Sequence, residues 1–462
     1  MAGDDKLSQL ITALEKSENG VLGLIETITD ERSFIETDRF IGSDTELGRA
    51  DGEGVVSGFA TISGQNVGIV ATNPAVLKGS IGKRGADKIA RLVNNAEKVN
   101  APVIAIFDTQ GARFGEGIEA LEGYAKVFDA LSCAYRNVPV ILVNKGKNFG
   151  ISSYLSYICD ICIGYDKAEL STASPFIIAA KSKVDISKVG TAAVHQKQTG
   201  LYSAVVKSDA ELKDILIKAL NLLCCDDVES NDDPNRTSLI LTGGESAKVL
   251  IDEIFDKGSF LELKADYAPE VITGFARLDG MSVGVFAFNQ DGGARINSAS
   301  AEKIEKLIRT CSYHEIPLIS LVDCNGVVAN LAEENGILIP NVSNLMDWMT
   351  SREMKKIALI TGNAIGAGYT AFASKSVSDY TLAYPNAKIG AVESMAAAEL
   401  LYEADMAKAK DRDSAVKKLA KTYAEENQLA VSVAKDGYLD NIIEPAFSRP
   451  YLIAAVRMFK DK

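Results

Sequence analysis

VVSGFATISGQNVGIVATN, residues 55–73, and VITGFARLDGMSVGVFAFN, residues 271–289, are two versions of one segment. Gly58 meets Gly274, Gly68 meets Gly284 and Asn73 meets Asn289, all at an offset of 216. Nine of the 19 positions are identical, too many for chance, so the chain carries an internal duplication. The register persists with one slip. Ile89, Leu92, Val93 and Ala96 recur as Ile304, Leu307, Ile308 and Cys311, a stripe at i, i+3, i+4 and i+7 that predicts a buried helix face. Apolar strands follow in each copy, APVIAIFD at 101–108 and IPLISLVD at 316–323, then VPVILVNKG and KIALITG, ending at Gly146 and Gly362. DICIGYDKAELSTASP, from Asp160, pairs with DYTLAYPNAKIGAVES, from Asp379. Each copy is therefore an α/β unit of acceptable domain size. The division falls at 1–225 and 226–462, in the polar, acidic stretch CCDDVESNDDPNRTS at 224–238. An N-terminal amphipathic helix carrying Leu7, Leu10, Ile11 and Leu14 is expected to dock rather than to catalyse.

Two turns in each copy bear on chemistry. The first is Thr109-Gln110-Gly111-Ala112, matched by Cys324-Asn325-Gly326-Val327. The second is Asn148-Phe149-Gly150-Ile151, matched by Ile365-Gly366-Ala367-Gly368. Glycine lets backbone approach a ligand closely, and strand ends followed by helices leave N–H groups free. Two such donors converging on one point make an oxyanion hole, the device that stabilises a thioester oxygen as an enolate forms. A second hole suits the ureido oxygen of biotin. A duplicated hole-building domain supplies both.

The remaining totals exclude more than they assign. Forty-nine basic and 62 acidic residues give a formal charge of −13, against nucleic-acid binding but not against a local basic pocket. The opening MAGDDKLSQL has no secretory plan and no apolar run spans a membrane, so a cytoplasmic location is expected. Cys159 and Cys162 have metal or redox spacing, yet they lie in the apolar run YICDICIG and read as buried strand residues. No metal is expected. His195 and His314 are the only histidines, and both read as structural. There is no ATP-binding phosphate loop. Gly292-Gly293-Ala294-Arg295 is too short for a dinucleotide fingerprint.

At this point the residues resemble the carboxyltransferase subunits of biotin-dependent acyl-CoA carboxylases and decarboxylases, such as the β subunit of propionyl-CoA carboxylase. The resemblance rests on VITGFARLDGMSVGVFAFNQ, on AYPNAKIGAVES and on the closing IIEPAFSRPYLIAAV. It implies two tandem crotonase-like domains, the first binding acyl-CoA and the second biotin. It also implies a working site between the first domain of one subunit and the second of its mate. Gly150 and Ile151 match the family's first oxyanion pair, and Ala367 and Gly368 the second. Ile151 departs from a family Gly and narrows the pocket. Gly111, Ala112 and Arg113 match the S-G-G-A-R turn, and Gly326 and Val327 the P-G-F turn. Gly366 lies beside the second pair. Thr370 occupies a position that helps set acyl size, and Glu333 falls near a family Glu. Arg113 is a candidate for holding a carboxylate or phosphate. No A-M-K-M biotinyl site is present, so a biotin carboxyl carrier protein, with a biotin carboxylase or a membrane decarboxylase subunit, is implied as partner. A dimer-based homo-oligomer, such as a hexamer, is implied too. Three alternatives stand beside carboxylation: a biotin-dependent decarboxylase, a non-catalytic assembly subunit with drifted turns, and a crotonase-type hydratase using Glu116 or Glu119.

Overall fold

The computed structural model describes residues 2–46, 48–224, 227–289, 295–351, 353–402 and 411–460. The expected break at 225/226 and the run Gly292-Gly293-Ala294 lie outside the described residues. The chain divides into two compact units, Met1–Cys224 and Cys225–Lys462.

In the first unit, strands β1 (Ile35–Thr37), β4 (Val55–Ile62), β5 (Gln65–Thr72), β6 (Val103–Thr109), β7 (Val140–Phe149), β8 (Ile161–Tyr165) and β10 (Ala204–Val206) lie side by side in that order. A small hairpin, β2 (Gly42–Thr45) and β3 (Gly48–Asp51), is separate, and β9 (Glu169–Ser171) pairs with the far end of β7. β4 and β5 form an antiparallel hairpin, and pairing is parallel from β5 to β10. The central strands are buried on both faces, as parallel sheets covered by helices require.

Apart from the small β2–β3 hairpin, the second unit repeats this sheet strand for strand. Its order is β11 (Leu261–Leu263), β12 (Val271–Leu278), β13 (Met281–Phe288), β14 (Leu318–Cys324), β15 (Lys356–Ile365), β16 (Tyr380–Ala383) and β18 (Asn441–Ile442). β17 (Lys388–Gly390) pairs with β15 just as β9 pairs with β7.

The predicted helix stripes are realised. Ile89, Leu92, Val93 and Ala96 are buried on α2 (Lys83–Lys98). Their counterparts are buried on the Ser298–Tyr313 helix. The repeat also reaches further back than 55 and 271. Phe34 and Phe260 lay their rings over Gly58 and Gly274, and Asp30 and Asp256 each cap the following hairpin turn through its backbone N–H groups. The N-terminal helix α1 (Ala2–Ile28) docks through Leu14, Val21, Leu24, Ile25 and Ile28. Leu7 is exposed, so the docking face lies about a turn later than its first leucines suggested. No helix among the described residues is long and apolar enough to cross a membrane.

Candidate active site

The glycine turns sit at the C-terminal ends of the two central strands of each unit. Both strands are shaped by one duplicated device. Asp108 Oδ1 accepts the Lys147 N–H at 3.0 Å, and Asp323 Oδ1 accepts the Asn363 N–H at 2.7 Å. Each carboxylate packs directly on a glycine, Gly146 or Gly362, where a Cβ would lie 2.3–2.4 Å from it. A register shift follows at Phe107/Thr109 and again at Val322/Cys324. The bulge re-aims the chain at the point where the turns begin.

The first turn of each unit is held by a parallel bridge, Ile81 with Ala112 and Ile296 with Val327. Gly111 (φ +93°) comes so close to Phe149 O that a Cβ would stand 2.5 Å from it. Its own N–H donates to Thr109 Oγ1 at 3.0 Å. Gly111 therefore brings the two turns together and does not offer a free donor. Gly326 O accepts the Ile296 N–H at 2.9 Å in the same way as Gly111 O accepts that of Ile81. The Gly366 N–H is also committed, donating to Gly390 O at 2.9 Å.

The four residues expected to carry the chemistry stand differently. Gly150 (φ +71°) and Ile151 open a 3-10 helix, Gly150–Tyr157, and Ala367 and Gly368 open the helix Ala367–Phe372. The first N–H groups of a helix have no carbonyl a turn behind them. In the second unit the bonds to Gly366 O begin only with the N–H groups of Tyr369, at 3.2 Å, and Thr370, at 3.0 Å. Nothing lies within 4 Å of the position a Gly150 Cβ would take, so that side of the turn is open. Ile151 is half-buried, and Thr370 is exposed, with its hydroxyl on Gly366 O.

Arg113 does not present an open cation. It is 2 % exposed, its Nη1 lies 2.8 Å from both Glu53 Oε2 and Glu116 Oε1, and its Nη2 reaches Glu53 O and Ser80 O. Its charge is matched within the protein, and it braces the turn. Glu116 is likewise engaged, capping α2 by accepting the Lys83 N–H at 2.7 Å. Glu333 does the same for the second unit, taking the Ser298 N–H at 2.9 Å. Glu119 is exposed, 3.6 Å from Lys83. The two carboxylates considered for hydratase chemistry are thus a helix cap and a surface residue. His195 bonds Leu170 O and Thr199, and burial lowers its pKa. Cys159 and Cys162 are buried.

One group of residues was not anticipated from the sequence. Beside the turns of the first unit is a hollow of about 510 Å³ lined by Lys78, Lys147 and Lys167 with Gln110, Asp108 and Glu169. Among the described residues none of the three lysines has an ion-pair partner, so their charges face the hollow and solvent. The signal lay in the difference between the copies. Lys147 and Lys167 align with Asn363 and Asn386, although Glu169 aligns with Lys388.

Comparison with known proteins agrees with this architecture. The carboxyl transferase domain family matches residues 15–462. The chain is 28 % identical to the propionyl-CoA carboxylase, carboxyltransferase subunit, of Haloferax mediterranei, over 95 % of this chain and 90 % of that one. It is 30 % identical to the methylmalonyl-CoA decarboxylase subunit alpha of Veillonella parvula, over 94 % of this chain and 88 % of that protein. Among solved structures it resembles the transcarboxylase 12S hexamer with methylmalonyl-coenzyme A and methylmalonic acid bound. The TM-score is 0.93 at 25 % identity, covering 99 % of this chain and 95 % of that one. The two α/β halves thus have the tandem crotonase-like fold.

Proposed function

Because the chain belongs to the carboxyl transferase domain family of biotin-dependent carboxylases and decarboxylases, we propose that its two units divide the reaction. The first takes a short acyl-CoA such as acetyl- or propionyl-CoA, and the second takes biotin presented by a carrier protein. The observation that carries this assignment is the three lysines beside the turns of the first unit, without an ion-pair partner among the described residues, a cationic hollow suited to the phosphates of coenzyme A.

In this reading the Gly150 and Ile151 amides hold the thioester oxygen. As the α-carbon loses its proton or its carboxyl group, negative charge moves onto that oxygen, and the two donors stabilise it without reorganising. The donor set of the second unit fits biotin, because the Ala367 and Gly368 N–H groups match an acceptor-only ureido oxygen. When bound, biotin supplies the nitrogen that carries the carboxyl group. Ala367 and Gly368 orient it, and no side-chain base is required of the protein. Ile151 borders the first donor pair and restricts the acyl group, and Thr370 borders the second pair. A biotin carrier and a biotin carboxylase, or a membrane decarboxylase subunit, complete the system. The chain works in the cytoplasm as a dimer-based homo-oligomer.

The test is loss of CO2 from malonyl-CoA or methylmalonyl-CoA by the purified chain, with and without free biotin. The expected result is turnover that depends on biotin. Turnover independent of biotin, or none with either acyl-CoA, refutes the proposal.

A further inference from the structure

The direction of a backbone N–H is fixed by the carbonyl in the same peptide unit, because the planar trans peptide points the two in opposite directions. Whatever grips a carbonyl therefore aims the following amide. In the first unit the two carbonyls that matter are gripped by side chains. Ser152 Oγ donates to Phe149 O at 2.9 Å, in the peptide that carries the Gly150 N–H. Ser153 Oγ donates to Gly150 O at 2.7 Å, in the peptide that carries the Ile151 N–H. Both serines are buried, Ser152 fully and Ser153 at 5 % exposure. Phe149 O also lies close against Gly111, where a Cβ would stand 2.5 Å from it.

The second unit solves the same problem without serines at those places. Gly368 and Tyr369 stand where Ser152 and Ser153 stand. Gly366 O, the counterpart of Gly150 O, is held by two helix N–H groups and by Thr370 Oγ1 at 3.1 Å. A serine hydroxyl that bonds a carbonyl one turn back is common in helices and commonly does little. Here two consecutive serines act on the two consecutive peptides that carry the donors.

We propose that Ser152 and Ser153 are the positioning residues of the first unit, each hydroxyl aiming one of the two amides that receive the thioester oxygen. This rests on the assignment of Gly150 and Ile151 to that oxygen. Mis-aimed donors lose part of the stabilisation made only in the transition state, so turnover falls while ground-state binding of the acyl-CoA does not.

The experiment compares Ser152→Ala/Ser153→Ala, the single alanine variants, Ser153→Thr and Ile151→Pro with the unaltered chain in biotin-dependent loss of CO2 from malonyl-CoA. The double alanine variant is expected to lose about 10- to 100-fold in kcat with KM within about threefold, and Ser153→Thr to stay within about threefold in both. Should the double variant not fold, the single variants carry the same test, each expected to lose about 3- to 10-fold in kcat. Alanine variants with unchanged kcat overturn the inference, as do losses in kcat matched by a rise in KM or shared by Ser153→Thr. Ile151→Pro separates the two layers. If it abolishes turnover while the serine variants are normal, the aiming role alone fails. If it too is normal, the assignment of the amides fails.

Discussion

Ala367→Pro is the most incisive single substitution that this structure allows. Proline removes one N–H and little else when it stands first in a helix, and Ala367 is the first residue of Ala367–Phe372. The preceding Gly366 has φ +54° and ψ −119°, the mirror image of the extended conformation that a residue before proline prefers. An achiral glycine adopts either hand equally, so the proline ring fits without moving the backbone. No intrahelical bond is lost, because the bonds to Gly366 O come from Tyr369 and Thr370. The stability change should stay below about 1 kcal/mol, a shift in melting temperature of a few degrees at most. Loss of one of two oxyanion donors is worth about 100- to 1000-fold in turnover, or about 2.7–4 kcal/mol of barrier. The assay is biotin-dependent loss of CO2 from malonyl-CoA, with thermal unfolding measured in parallel. A folded Ala367→Pro protein that turns over within threefold of the parent would refute the role given to this amide.

Other perturbations separate binding from bracing. Lys147→Gln with Lys167→Gln should raise the acyl-CoA KM by about 10-fold or more and flatten its salt dependence, with kcat little changed; steady-state kinetics at two ionic strengths reads this. Glu116→Gln removes a charged partner of the α2 cap and of Arg113, and should lower stability by about 1–3 kcal/mol in denaturant melts. A folded Glu116→Gln enzyme should still catalyse biotin-dependent CO2 loss, whereas total loss in a folded protein would revive hydratase-type chemistry. Glu18, buried on α1, faces Glu36, Arg39, Asp51 and Lys88; burial, followed by the Glu36 charge, raises its pKa to about 7. The folded state thus holds this proton more tightly than the unfolded chain. Its stabilising contribution is full below about pH 4.5 and fades as pH rises through about 7. Glu18→Gln should therefore be more stable than the parent at pH 8 by about 1–3 kcal/mol, with the advantage shrinking toward pH 5; melts at both values check it.

Much of this architecture was legible in the sequence because duplication leaves an internal comparison. The pairing of residues 55–73 with 271–289 gave two equivalent hairpins, and the helix stripes and following strands fell in the same order. The repeat was lost before residue 55 for a physical reason. The hairpin of Gly42–Thr45 and Gly48–Asp51 is inserted in the first copy, so Ser33-Phe34 and Ser259-Phe260 align at 226 rather than 216. Four residues at a new offset carry too little signal to be seen.

The turns were legible as positions but not as bonding. Gly111 and Gly366 look like the neighbouring donors in sequence, yet their N–H groups end on Thr109 Oγ1 and Gly390 O. Arg113 could be read as an anion-holding or as a paired residue, and only the fold brings Glu53, 60 residues earlier, against it. The lysine hollow gathers Lys147 from the end of β7 and Lys78 and Lys167 from two separate connections. Only the fold brings those together.

The most direct measurement is the carbonyl stretch of an acyl-CoA isotopically labelled at the thioester carbon, recorded by infrared difference spectroscopy in water and bound to the protein. Amide donors that grip the thioester oxygen polarise the bond, so the stretch should move to lower frequency on binding and return most of the way in Ile151→Pro. A stretch that stays at its aqueous value, or a shift that Ile151→Pro leaves intact, would contradict the account.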